Sequence, residues 1–166
     1  MSLWLDNPPV RQTRMMIVLK KLMLGSALLA SLVLTGCSSV PMAPAEQDAS
    51  MKQFSAPAAD KAGLYIYRNS FAGKALKKSV SLDGKVIGET ANKVYFYKEI
   101  TPGKHVLSTE SEFSDNALTF QADGGKNYFV RQYIKMGVFV GGAGLEMVDE
   151  AEGMKGVRDS KLAISQ

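Results

Sequence analysis

Ser79 to Gly88 reads SVSLDGKVIG. Two short β-prone runs, Ser79–Leu82 and Lys85–Gly88, flank Asp83-Gly84. An Asp-Gly pair supplies the positive φ angles of a type I′ turn, so the stretch is a tight hairpin. Working outward, Lys61–Arg68 (KAGLYIYR) alternates Leu64 and Ile66 on one face with Tyr65 and Tyr67 on the other, the period of a strand. Asn69–Lys78 is a loop with Gly73 and the group Lys74, Lys77, Lys78. Val94–Ile100 (VYFYKEI) is a further strand, stopped by Thr101-Pro102-Gly103, and Lys104–Ser111 returns from that turn. Asn116–Ala122 and Asn127–Lys135 are expected to form another hairpin around Asp123-Gly124-Gly125. Gly137–Val148 adds one or two short strands. Asp149–Asp159, acidic at its start and basic at its end, suits a short helix dipole despite two internal glycines. The expected fold is all-β: a small antiparallel β-sandwich, Ig-like or similar, of about seven strands. A short C-terminal helix follows, and the domain spans 60–166.

Upstream the texture changes twice. Ser38–Ala59 (SSVPMAPAEQDASMKQFSAPAA) is rich in Ser, Ala and Pro without a sustained apolar period. It is expected to be a flexible tether over 37–59, averaging about 25 Å end to end, with Met51 and Phe54 able to dock on the domain. Leu22–Leu34 (LMLGSALLASLVL) is apolar, follows Lys20-Lys21, and ends in small residues. That order of basic, apolar and small regions describes a cleaved secretory signal over 1–36. A membrane span would need about 20 apolar residues. Met1–Arg14 carries Asp6 and Pro8-Pro9, which do not suit the start of a signal, so Met15 or Met16 is the expected start, with a long basic region from Met1 as the alternative. Trp4 is the only Trp, so the processed protein is expected to have none.

The signal ends in Leu34-Thr35-Gly36-Cys37. These residues resemble the lipobox of bacterial lipoproteins. The resemblance implies that Cys37 takes a diacylglycerol on sulfur, becomes the first residue after cleavage and is acylated on its new amino group. Each buried CH₂ contributes ~0.8 kcal/mol, so several acyl chains make a lasting anchor. In that family an Asp after the cysteine favours inner-membrane retention; here Ser38 and Ser39 follow, so the resemblance implies the periplasmic face of the outer membrane. Cys37 is the only cysteine. A lipidated thiol leaves no odd free Cys in an oxidising compartment, and it removes disulfides and thiolate chemistry from the domain.

Charge narrows the partners. The chain is +4 at neutral pH, but Arg11, Arg14, Lys20 and Lys21 lie in the signal against Asp6 alone. The domain is near neutral, which argues against nucleic acid. His105 is the only His and follows the Pro102-Gly103 turn, so a strand or turn role is expected; the chemical alternative is an envelope hydrolase pairing His105 with a carboxylate. Gly137, Gly141, Gly142 and Gly144 fit neither nucleotide-loop template. Asp83, Glu89, Glu99, Glu110, Glu112 and Asp115 show no spacing that specifies a glycosidase or a calcium loop, and no cofactor is expected. Tyr65/Tyr67 and Tyr95/Tyr97 are i, i+2 pairs. On neighbouring strands they would share a face and, with Arg68 and Arg131, form a candidate sugar- or peptide-binding platform. The other reading buries those rings as cross-strand packing.

Lys61–Leu162 also resembles the bacterial lipoproteins grouped as domain of unknown function 2846. The resemblance rests on Tyr65-Ile66-Tyr67-Arg68, on Leu82-Asp83-Gly84-Lys85 with Ile87-Gly88, on Thr101-Pro102-Gly103-Lys104-His105, and on Tyr128-Phe129-Val130-Arg131. Its most specific part is Met136-Gly137-Val138-Phe139-Val140-Gly141 with Leu145-Glu146-Met147-Val148-Asp149-Glu150, and it departs at Gly142-Ala143-Gly144. It implies a small β-sandwich and no reaction. The expected function is a non-catalytic binding or adaptor module of the envelope, held in the bilayer through Cys37 and meeting a protein or glycan partner. A structural lipoprotein that supports envelope integrity is the third reading.

Overall fold

The computed structural model describes residues 40–111, 116–135 and 141–166. Two sheets face each other. One is ordered β8-β7-β1-β4-β9, from β1 (Ala62–Arg68), β4 (Val94–Ile100), β7 (Asn127–Lys135), β8 (Gly142–Val148) and β9 (Lys161–Leu162). The other is ordered β3-β2-β5-β6, from β2 (Lys78–Leu82), β3 (Lys85–Thr90), β5 (Gly103–Thr109) and β6 (Asn116–Ala122). Helices α1 (Ala45–Met51) and α2 (Glu150–Arg158) complete the described elements.

The Asp83-Gly84 hairpin is present between β2 and β3, with φ of 50° and 79° at its two central residues. The other two turns do something different from what their composition suggests. Thr101-Pro102 carries the chain from β4 in one sheet to β5 in the other, and Asp123-Gly124-Gly125 carries it from β6 back to β7. Neither closes a hairpin. At Gly124 a Cβ would fall 1.8 Å from the Ala59 carbonyl oxygen, and the Gly125 N–H donates to the Lys61 carbonyl at 2.8 Å. The turn therefore bonds to the chain entering β1. β7 runs parallel to β1, and β9 runs parallel to β4, so the larger sheet is mixed rather than antiparallel.

Strand β1 is buried along its whole length. Leu64 and Ile66 face the second sheet and pack with Val80, Leu107, Phe120 and Val130. Tyr65 and Tyr67 face the opposite way and pack with Phe54, Tyr95, Phe129, Val157 and Leu162. The second layer is built from α1, the segment after it, and α2. Asp149 caps α2 by accepting from the Glu152 N–H at 2.8 Å, and Lys155 and Arg158 sit in its last turn. Its two glycines are contact surfaces. A Cβ at Gly153 would come within 2.2 Å of the Phe129 ring, and one at Gly156 within 2.1 Å of the Tyr67 ring. Glycine lowers intrinsic helicity but lets the helix approach the sheet.

The expectation of a flexible tether fails for residues 40–59. Val40 is buried, Met42 bridges Ala163, and the Ala43 N–H donates to the Leu162 carbonyl at 2.9 Å. Asp48 in α1 accepts from the Leu162 N–H at 2.9 Å and from Lys52 Nζ at 2.8 Å. Lys52 also donates to the Ser160 carbonyl at 2.7 Å. Phe54 adopts φ of 53° and places its ring on Tyr65 (5.4 Å between centroids) and Phe129 (5.9 Å). Polar composition suggested a coil, but a few well-placed apolar groups suffice when a ready aromatic surface receives them. Phe54→Ala should cost about 3–5 kcal/mol in denaturant unfolding, the usual loss for a buried Phe. A change within about 0.5 kcal/mol, as at an exposed loop position, would contradict the docking.

Candidate functional site

The candidate platform of Tyr65, Tyr67, Arg68, Tyr95, Tyr97 and Arg131 is not an open face. Register does bring the tyrosines together, with Tyr65 opposite Tyr97 and Tyr67 opposite Tyr95. Tyr65, Tyr67 and Tyr95 are nevertheless buried beneath the helical layer, while Tyr97 is half-buried. The Tyr65 hydroxyl donates to the Met51 carbonyl at 2.9 Å. Burial raises the Tyr65 and Tyr95 phenols far above their ordinary range and pushes Tyr67 up to about 12. Arg131 leaves the set as well. Its guanidinium pairs with Glu146 at 2.5 Å and Glu152 at 3.0 Å, tying β7 to β8 and α2. The buried-packing reading holds because α1, Phe54 and α2 supply the cover.

Arg68 lies on the other face, since it continues the parity of Leu64 and Ile66. It is fully buried and donates Nη2 to the Leu76 carbonyl at 2.7 Å; Nε and Nη1 have no hydrogen-bond partner among the described residues. Burial lowers its pKa. The neighbouring interior is also polar. On β7, Gln132 bonds the Thr90 hydroxyl and donates to the Thr109 hydroxyl at 2.6 Å, and Thr109 donates to the Ser79 carbonyl at 2.7 Å. Glu110 accepts from the Ser79 N–H at 2.8 Å and lies 3.7 Å from Lys78. Counting by twos along β1 and β7 would have placed Arg68 and Gln132 between the sheets. Arg68 has no carboxylate partner among the described residues, and a buried charge without one is costly. Arg68→Met should therefore hold or raise the thermal midpoint; a loss above about 2 kcal/mol would mean the charge is paired.

His105 also points inward on β5, between turn and core. Its Nδ1 lies 2.7 Å from an Asp83 carboxylate oxygen and its Nε2 lies 2.8 Å from the Thr101 carbonyl. The other Asp83 oxygen accepts from the Val106 N–H at 2.9 Å. Two acceptors on one ring favour imidazolium. Burial opposes the charge, but the bonds to Asp83 and Thr101 outweigh it and raise the His105 pKa. Burial likewise opposes the Asp83 charge, yet the Val106 N–H and His105 hold Asp83 below its ordinary value. Asp83 thus serves as both turn residue and latch between β2 and β5. A raised His contributes stability that is whole below its ordinary 6.5 and fades as pH climbs through the folded value. The lowered Asp contributes above its ordinary 3.8 and fails as pH falls through the folded value. The single His gives one imidazole signal by NMR. It should titrate above 6.5, stability should decline over that interval, and Asp83→Asn should lower the midpoint and flatten the decline. An imidazole titrating below 6.5 would contradict the latch.

Leu34, Thr35, Gly36 and Cys37 lie outside the described residues. Among the described residues no helix is long and apolar enough to cross a membrane. Comparison with known proteins places these features in context. The family model described as "Protein of unknown function (DUF2846)" matches residues 58–143. That stretch runs from the docked segment through the His105 latch, Arg68 and Gln132 into β8. A Haemophilus influenzae relative, described as an uncharacterized protein, is 53% identical over 135 residues, covering 81% of this chain and 80% of that one. No solved structure matches the chain.

Proposed function

The chain belongs to the DUF2846 family, proteins of unknown function, and on that footing we propose that it is a lipid-anchored, non-catalytic binding or adaptor module of the bacterial envelope. The observation that carries the anchor is the order of its leader: a basic pair, an apolar run, then Leu34-Thr35-Gly36-Cys37, with that cysteine the only one in the chain. Acylated Cys37 would hold the sandwich at the periplasmic face of the outer membrane. A protein or glycan of the envelope is the partner proposed, and no nucleic acid.

The non-catalytic part is supported by His105. The alternative hydrolase requires a ring nitrogen free to take a proton from a nucleophile. Here one nitrogen is on Asp83 and the other is on a backbone carbonyl. Strand addition finds little support at two edges: β9 is flanked by residues 42–43, and the Gln166 N–H donates to the Ile87 carbonyl on β3. A face of the folded module is the more natural contact. If crosslinking in cells captures no defined partner while deletion weakens the envelope, the structural-lipoprotein reading takes its place.

Intact-mass analysis of protein from native membranes tests the anchor. The expected species begins at Cys37 and carries acyl mass, and Cys37→Ala should abolish that mass and leave the protein unlipidated. A native chain that begins upstream of Cys37 without lipid mass would overturn the proposal.

A further inference from the structure

The segment expected to be a long tether ends far earlier than its composition suggests. Val40 is buried, and the Ile164 N–H donates to the Pro41 carbonyl at 2.9 Å. Only two residues, Ser38 and Ser39, separate Val40 from Cys37. Covalent geometry lets three residue steps span at most about 11 Å. If Cys37 is acylated, Val40 lies no further than that from the backbone of the lipid-bearing residue. A domain of this size, roughly 30 Å across, cannot then float free of the bilayer.

The surface around Val40 is suited to that position. Val40, Pro41, Val86, Phe96 and Ile164 line an apolar cleft of about 230 Å³ between the edges of the two sheets. Val86 and Ile164 project from it, each 53% exposed. Lys85 is exposed beside Val86, and Lys98 reaches the chain end by donating to the Gln166 carbonyl at 2.7 Å. The one carboxylate side chain in the lining, Glu89, faces Lys77 at 3.7 Å, and the Gln166 backbone that also lines it is met by Lys98. Apolar tips with lysines at the margin are the make-up of a surface that settles into lipid headgroups.

We propose that the Val40–Val86–Ile164 edge of the sandwich rests on the bilayer that holds Cys37, fixing which faces of the module point into the periplasm. This rests on the acylation of Cys37. The occupant is the lipid surface itself. The competing apolar projection is Phe71, 79% exposed, with Lys74 Nζ 3.8 Å from its ring centre. Its loop packs toward β7, where a Cβ at Gly73 would meet Ile134 at 3.0 Å. That places it near the β8 side of the sheet, away from β9.

The processed protein would lack Trp, so single tryptophans are clean probes. Full-length Ile164→Trp, Val86→Trp and Phe71→Trp proteins, purified with their lipid, are reconstituted in phosphatidylethanolamine–phosphatidylglycerol vesicles containing a brominated phospholipid. Quenching of I164W and V86W should exceed that of F71W about twofold or more, with blue-shifted emission on the first two. Two positions guard against one variant misfolding. Lipidated, vesicle-bound protein with equal quenching at all three sites, or stronger quenching of F71W, would overturn the orientation and leave the anchor standing. Protein without lipid mass would overturn the anchor and the orientation together.

Discussion

Strand β1 has no side turned to water. That constraint organises the described structure. One face carries aliphatic residues and ends in Arg68, and the other carries tyrosines, so each needs a different cover. The second sheet covers the first face in the ordinary manner of a sandwich. The second face is covered by pieces that look unrelated in the sequence: a short helix before the strand, one phenylalanine, and a glycine-bearing helix near the end of the chain. In the five-stranded sheet β1 holds the central place, with neighbours on both edges and a covering layer on each face.

How much of this was legible depended on how local its cause is. Asp83-Gly84 announced its hairpin because the turn type is set by two residues. Alternation in Lys61–Arg68 announced a strand and assigned Leu64 and Ile66 to one face correctly. The Pro102-Gly103 and Asp123-Gly124-Gly125 turns were legible as turns but not as crossings. Their residues satisfy the bend, while the choice between returning to the same sheet and crossing to the other is made by distant partners such as Ala59 and Lys61. The docking of residues 40–59 is hidden in the sequence for a related reason. Average polarity describes what a segment does alone, and Phe54 acts only in the presence of Tyr65 and Phe129.

The candidate site divides along the same line. The tyrosine pairs were correctly expected to become neighbours, but their accessibility depended on the helical cover. Arg68 was grouped with them by proximity in sequence, although its parity puts it with Leu64 and Ile66. His105 and Asp83 are 22 residues apart, and each had a sufficient local explanation as a turn residue. Their pairing emerges from β2 lying beside β5. Buried polar groups in a small sandwich specify register, since a slip of one residue would leave Gln132, Thr90 and Thr109 without their bonds.

Helix α2 carries one further consequence. Nine residues are too few to hold a helix in water, and two of them are glycine. Such a coil-prone stretch borrows its shape from the aromatic floor beneath it. Its ellipticity is therefore an internal gauge of tertiary order: the signal appears once Tyr67 and Phe129 are in place and vanishes when they part, with no independent melting of its own.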